Sequence, residues 1–476
     1  MEMLINGKAA PAADAAWIDV KNPATGELVD RVPGGSREDV NAAVEAADVA
    51  FGTWSEKTMR ERGLLLARAA ELVRRDHKQL AELLTREQGK PLRESIDEVR
   101  GCANIFEYYA SIAGRPAGEA VSLGKAGDCL VTRVPLGVCA AIIPWNMPVI
   151  IMGWKVGPAL LAGNTLVLKP ASTAPLTNLT VARLVQEAGA PPGVINVVTG
   201  PGEITGEALV QHPLVKKISF TGNGTTGRRI RMLAGDQLKA LTLELGGSDP
   251  MIVMPDADIP KAVEGAIRGR FYNAGQICTA VKRLYLHEKI AGEFMHLLTT
   301  RVESLKIGNG LVTGTEMGPL NSPGQLDRIA TVVQTVTDRA EGTILTGGCP
   351  VPGKEYERGF FYRPTLIADV QPDSAMLKNE IFGPVLPVMT VPDLGTAIHE
   401  ANRSQYGLGA SIWTRDLATV KTVFTNVHAG IIWVNRHLTV PPEVPFGGTN
   451  ESGIGRENGF NAIDSYTQTK TLYLGW

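Results

Sequence analysis

The chain has 476 residues, 44% of them hydrophobic and 20% charged, which gives room for two or three domains with sizeable cores and excludes a mainly disordered protein. Forty-seven basic residues against 49 acidic ones leave a formal charge of -2. No cationic surplus exists to neutralise a phosphate backbone, so no nucleic-acid partner is expected, and the run Arg228, Arg229 and Arg231 is too short to change that. The cysteines Cys102, Cys129, Cys139, Cys278 and Cys349 are scattered without C-x-x-C spacing, arguing against a zinc site or a disulfide framework; no metal and a reducing, cytoplasmic setting are expected. Met1 to Ala10 lacks an apolar core of signal-peptide length.

In chain order, Ile18 to Val29 reads as strand and turn, and Ser36 to Phe51 as an amphipathic helix opened by a serine cap. Helical stretches follow over Met59 to Gln88 and Ile96 to Ala113. From Val134 to Trp154 the chain carries 21 residues without a formal charge, long enough on paper to cross a bilayer. Pro135, Pro144, Pro148 and Asn146 make that a poor membrane helix, and a buried strand, turn and helix are expected instead, with no membrane partner. Val138 to Ile143, Thr165 to Lys169, Val194 to Val198, Lys217 to Phe220 and Leu241 to Leu245 read as short apolar strands alternating with helices, the pattern of a doubly wound nucleotide-binding domain. After Gly246-Gly247 the pattern restarts at Met251 to Met254 and continues through strands at Lys282 to His287 and near Val385, Ser411 and Ile431, a second α/β domain. Gly127 to Arg133 and Asp464 to Trp476 read as lone strands that build a small protruding sheet, completed by another subunit.

Several residues in these segments carry chemistry. Cys278 follows a helix and precedes a strand, where a side chain can face a domain cleft; a buried structural thiol is the competing reading. Glu244 lies at the end of a strand and Asn146 follows one, where open α/β sheets place ligands. The turn Phe220-Thr221-Gly222-Asn223-Gly224-Thr225-Thr226-Gly227 joins a strand to a helix and can bring backbone amides to a pyrophosphate. Gly200-Pro201-Gly202 is a weaker candidate of the same kind.

Taken together and in order, Pro144 to Pro148, Lys169-Pro170, Glu244 to Gly247, Gly275 to Cys278, Glu380 to Val385, Pro445 to Gly448 and Ser452 to Glu457 resemble the aldehyde dehydrogenase superfamily over essentially the whole chain. Met147 stands in place of a phenylalanine and Asn223 in place of a serine. The resemblance implies an α/β fold of two doubly wound domains, dinucleotide-binding (1–117 and 135–246) and catalytic (247–448), with a β oligomerisation arm (118–134 and 449–476) and a homodimer or homotetramer. It implies Cys278 as nucleophile, Glu244 as general base and the Asn146 amide with the Cys278 N–H as oxyanion donors. Ile143, Pro144, Trp145, Lys169, Ser172, Gly202, Phe220, Thr221, Gly222, Asn223, Gly227, Leu245, Glu380 and Phe382 are the expected contacts to NAD or NADP.

Ser172 occupies a position where NAD-preferring relatives often carry glutamate. A hydroxyl there can donate to a 2′-phosphate that a carboxylate would repel, so the reading leans toward NADP. The expected aldehyde pocket is Met147, Trp154, Tyr272, Ile277, Thr279, His437 and Val444. Aromatic residues at Trp154 and Tyr272, where semialdehyde-oxidising relatives carry arginines, favour an uncharged aliphatic or aromatic aldehyde. A semialdehyde or a small, lactaldehyde-like hydroxyaldehyde is the alternative, with Arg436 and His437 meeting its polar tail. A CoA-acylating enzyme and a non-catalytic homologue are the more distant readings.

Overall fold

The computed structural model describes residues 1–115 and 118–475. The expected domain boundary at 117 and the arm's last residue, Trp476, lie outside the described residues.

Five parallel strands form the centre of the first sheet, in the spatial order Ile195–Val197, Thr165–Lys169, Val138–Ile142, Val215–Thr221 and Ala240–Glu244. Val138–Ile142 and Thr165–Lys169 are almost wholly buried, as strands covered by helices on both faces must be. The order of connection reverses between Val138–Ile142 and Val215–Thr221, and crevices at such a switch point are where open α/β sheets take their ligands. Met3–Ile5 adds antiparallel at one edge, and Gly453–Ile454, from the far end of the chain, pairs antiparallel with Ala240–Glu244 at the other.

The second sheet runs Thr343–Thr346, Thr365–Ala368, Val385–Val391, Val281–His287, Asp249–Val253, Gly409–Trp413 and Ile431–Val434. All neighbours are parallel except the edge strand Thr343–Thr346. A third, antiparallel sheet joins Gly118–Ser122, Asp128–Pro135 and Thr467–Leu474, the last two in register from Thr467 opposite Pro135 to Leu474 opposite Asp128. The architecture is the α/β class expected.

Local differences have local causes. The expected helix Met59 to Gln88 is two helices, Met59–Arg75 and His77–Gln88, broken at Asp76. Asp76 binds the Arg75 guanidinium with both carboxylate oxygens instead of capping the following turn. The helix expected from Ile96 begins four residues earlier, at Leu92, directly behind Pro91. The final strand begins at Thr467 rather than Asp464 because Phe460–Tyr466 is wound as a 3-10 helix. The uncharged stretch before Trp154 divides into strand, turn and the helix Pro148–Ala162, with proline in its first turn, where no N–H is needed, and Gly163 closing it at φ 98°. Among the described residues no helix is long and apolar enough to cross a membrane.

Candidate active site

A cleft of about 940 Å³ opens at the switch point, between the first sheet and the segments of the second that carry Cys278, Glu380 and Phe382. Its walls include Ile143, Pro144, Trp145 and Asn146 from the turn after Val138–Ile142, Lys169 at the end of its strand, Phe220 to Asn223, Leu245, and Gly202. The rings of Trp145 and Phe382 meet edge-on at 5.5 Å, joining the two units across the cleft.

The residues present fit a dinucleotide. Asn223 caps the helix Gly224–Gly235, its side chain accepting from the Thr226 N–H at 2.8 Å, and a helix N-terminus of this kind favours a pyrophosphate. Lys169 is buried, donates to the Pro170 carbonyl at 3.0 Å and is pushed down to about 8 by burial. One bond leaves two of its three N–H donors for ribose hydroxyls.

Two of the expected cofactor residues are not on the cleft lining. Ser172 is half-buried and its hydroxyl donates to the Gly200 carbonyl at 3.0 Å. Gly227 lies behind the wall, where an added Cβ would come 2.5 Å from the Leu245 side chain; its role is close packing of helix on strand. Conversely, Arg229, dismissed as part of a short basic run, lines the cleft beside Glu203 and Glu207, as do Gln325 and Arg328. Arg229 is paired with Glu207 at 3.0 Å.

The loop before Cys278 is shaped by three successive residues with positive φ: Asn273 at 50°, Ala274 at 51° and Gly275 at 75°. A non-glycine residue rarely takes this conformation, and the loop is held by side chains that outbid the strain. The Glu94 carboxylate accepts the Asn273 N–H at 2.8 Å, Gln88 donates to the Asn273 side chain at 3.0 Å, and Gln276 donates back to the Asn273 carbonyl at 3.0 Å. Glu94 is pushed up to about 8 by burial, against the Asn273 bond and Lys90.

Cys278 ends this loop on the cleft wall. Burial pushes its thiol up to about 12, Lys282 works against that, and Asp249, Glu380 and Glu244 add to it. Asn146 donates one amide N–H to the Gln276 carbonyl at 3.0 Å, leaving the second for an oxyanion. Among the described residues the Cys278 N–H takes no hydrogen-bond acceptor.

Glu244 sits behind the lining, 2% exposed, with neither oxygen hydrogen-bonded among the described residues. Burial and the neighbouring Glu457 hold it well above the usual carboxylate range, against Lys155 and Arg456. Gly447 makes room for it: a Cβ there would stand 2.6 Å from the Glu244 Oε1. Lys155 is itself buried, ion-paired with Glu457 and bonded to Ser219 at 3.0 Å and Thr221 at 2.8 Å.

None of the expected aldehyde-pocket residues lines the large cleft. Trp154 packs on Phe446 at 5.1 Å, and both belong with Met147 and Cys278 to one continuous apolar cluster. Met147 also receives the Lys90 ammonium on its sulfur at 3.2 Å. Ile277 and Thr279 flank Cys278 and are buried, and Val444 is exposed. Tyr272 borders a separate 260 Å³ pocket with Arg93, Arg268 and Arg301.

His437 is not available to a substrate. Its Nε2 donates to the Thr279 carbonyl at 2.7 Å and its Nδ1 accepts from Ser411 at 3.0 Å, a tautomer set by the fact that a carbonyl can only accept. Arg436 is exposed at the surface. Phe446, Lys282, Asp249 and the Lys155–Glu457 pair were not singled out from the sequence; Phe446 and Glu457 lie in quoted motifs, whereas nothing local marks the other three.

The sequence matches the model of the aldehyde dehydrogenase family over residues 10–472. It is 42% identical to phenylacetaldehyde dehydrogenase of Pseudomonas fluorescens, covering 100% of this chain and 96% of that one. Among solved structures it is similar to betaine aldehyde dehydrogenase from Staphylococcus aureus in complex with NAD+, with TM-score 0.97, 33% identity and coverage of 100% and 95%. It is likewise similar to an NADP-dependent enzyme of E. coli, with TM-score 0.97, 37% identity and coverage of 100% and 98%. A dinucleotide cleft with a cysteine on its wall, in a fold shared along the full chain with such enzymes, makes this protein a member of the aldehyde dehydrogenase family, an oxidoreductase that uses a nicotinamide cofactor.

Proposed function

We propose that the protein oxidises an uncharged aliphatic or aromatic aldehyde to its carboxylic acid, with Cys278 as nucleophile and Glu244 as general base. The observation that carries this is the shared cleft: Cys278, Asn146, Lys169 and Glu380 line one cavity. The Cys278 thiol loses its proton to water in the cleft, its sulfur bonds to the aldehyde carbon, and the oxyanion that forms is held by the free Asn146 amide N–H and the Cys278 N–H. A bound nicotinamide supplies the hydride acceptor for that carbon. Cys278 is left as a thioester, and Glu244 takes a proton from the water that cleaves it. The retained Glu244 argues against coenzyme A as the acyl acceptor.

Lys169 and Glu380 are the proposed ribose contacts, with Phe382 near the nicotinamide end. NADP is accepted as well as NAD, supported by the absence of a carboxylate at Ser172; the Arg229 cation on the wall is already paired with Glu207. The antiparallel sheet exposes Leu130, Leu472 and Tyr473, which supports its role as an arm completed by a second copy. Free thiols at all of the cysteines support a reducing compartment.

The apolar cluster of Trp154, Phe446 and Met147 supports the uncharged substrate, as does the name of the phenylacetaldehyde-oxidising relative. The alternative, a semialdehyde or small hydroxyaldehyde, would need a cation facing Cys278, whereas Arg268 lines the separate pocket beside Tyr272 together with Glu94, Asp97, Glu264 and Glu316. Measuring kcat/KM for phenylacetaldehyde, a straight-chain aldehyde, lactaldehyde and succinate semialdehyde, each with NAD and NADP and with or without coenzyme A, decides between them. The uncharged aldehydes are expected to lead by about tenfold or more, roughly 1.4 kcal/mol. A lead for succinate semialdehyde, or strict dependence on coenzyme A, overturns the assignment.

A further inference from the structure

One ammonium group joins the nucleophile loop to the cofactor side of the cleft. Lys282 is the second residue of the strand Val281–His287, and its side chain is 1% exposed. Its three donors meet three acceptors: the Ile277 carbonyl at 3.0 Å, the Cys278 carbonyl, and the Glu380 Oε1 at 2.9 Å. The same Glu380 oxygen accepts the Gly247 N–H at 3.1 Å. The ammonium also stands 5.8 Å from the centre of the Phe382 ring.

The charges around the thiol are unequal. Glu244, Asp249 and Glu380 each oppose its ionisation, and burial acts in the same sense; Lys282 favours the thiolate. Asp249 lies on the adjacent strand, opposite Val281, with its side chain making no well-formed hydrogen bond. Burial raises Asp249 to about 8, with Lys282 pulling the other way. A buried lysine needs a partner anion to persist, and Glu380, paired with it at 2.9 Å, is that anion.

We propose that Lys282 is a positioning residue for the nucleophile: it pins the Ile277 and Cys278 carbonyls, tethers Glu380 to the same loop, and supplies the compensating positive charge at the thiol. This rests on Cys278 being the nucleophile. Fixing two carbonyls orients the loop; the charge lowers the cost of removing the thiol proton inside a dry site. Since Glu380 lines the dinucleotide cleft, its position and the reactivity of Cys278 become parts of one arrangement.

The test is peptide-resolved alkylation of Cys278 by iodoacetamide, read by mass spectrometry across a pH series in the protein without added dinucleotide. Lys282→Met is expected to slow alkylation at neutral pH by about tenfold and move its inflection upward by about one unit. Lys282→Arg restores most of the rate, and Glu380→Gln, which removes a negative charge, moves the inflection downward. A folded Lys282→Met protein with the wild-type profile overturns the proposal. Should that variant fail to fold, Lys282→Gln deletes the charge while keeping donors for the carbonyls, and an unmoved inflection there overturns it equally. Aldehyde turnover by Cys278→Ala separates the two claims: if that protein still oxidises aldehyde, the nucleophile assignment fails, whereas the alkylation profile reads Lys282 directly.

Discussion

Lys90 and Glu98 form a fully buried ion pair that grips the Asn146 turn from both sides. Lys90 donates to the Asn146 carbonyl at 2.6 Å, and Glu98 accepts from the Val149 N–H at 2.7 Å, at the start of the helix that follows. The Asn146 amide, the proposed oxyanion donor, thus hangs on a turn whose entry and exit are both fixed by charge. Replacing Lys90 by methionine strands Glu98 in the core, and chemical denaturation is expected to show a loss of about 3–5 kcal/mol. The double variant Lys90→Met/Glu98→Gln recovers part of that loss, a coupling that a double-mutant cycle measures.

Glu244→Gln separates the two halves of the reaction. Acylation proceeds and the first turnover appears as a burst, while the steady state falls by about 10²- to 10⁴-fold. Rapid-mixing measurement of reduced cofactor checks it; equal loss of burst and steady state contradicts the role of general base.

The same carboxyl group sets a pH dependence. Glu244 is held well above the ordinary carboxylate range by burial and Glu457, so it stays protonated into a pH region where a solvated glutamate is ionised. A base must be ionised to act, and wild-type steady-state turnover is expected to rise with pH through that displaced pKa. The rise is absent from Glu244→Gln.

His437 predicts an effect on stability. Burial depresses it to about 4, with Lys282 acting in the same sense and the Thr279 carbonyl opposing. The folded state therefore binds fewer protons than the unfolded one between about 6.5 and 4, so its contribution, on the order of 3 kcal/mol, is present above that window and is lost as pH falls through it. In thermal melts, His437→Asn is expected to unfold at lower temperature than wild type near neutrality and to lose less on acidification.

Ser172→Glu tests the cofactor reading. The new carboxylate repels a 2′-phosphate, and the ratio of kcat/KM with NADP to that with NAD is expected to fall by about tenfold. An unchanged ratio places the 2′-phosphate away from this residue, consistent with the engagement of Ser172 by the Gly200 carbonyl.

Some of this organisation was legible in the chain because the relevant residues are local. Lys169 and Glu244 end apolar strands and Asn146 lies in the turn after another, and a strand end is visible in a short window. Burial partners are not. Lys155 meets Glu457 across 302 positions and Asn273 meets Gln88 across 185, pairs that no periodicity announces. His437 looked like a polar group beside a cleft, yet both its nitrogens are spent within the second unit. Arg229 stands out in the sequence only as part of a short basic run; its place on the cleft follows from the turn that aims the helix.

The strand Gly453–Ile454 closes one edge of the first sheet, and Glu457 follows it to meet Lys155. The edge strand and the ion pair therefore form one unit: fraying of that edge would withdraw Glu457 and leave the buried Lys155 ammonium without its anion.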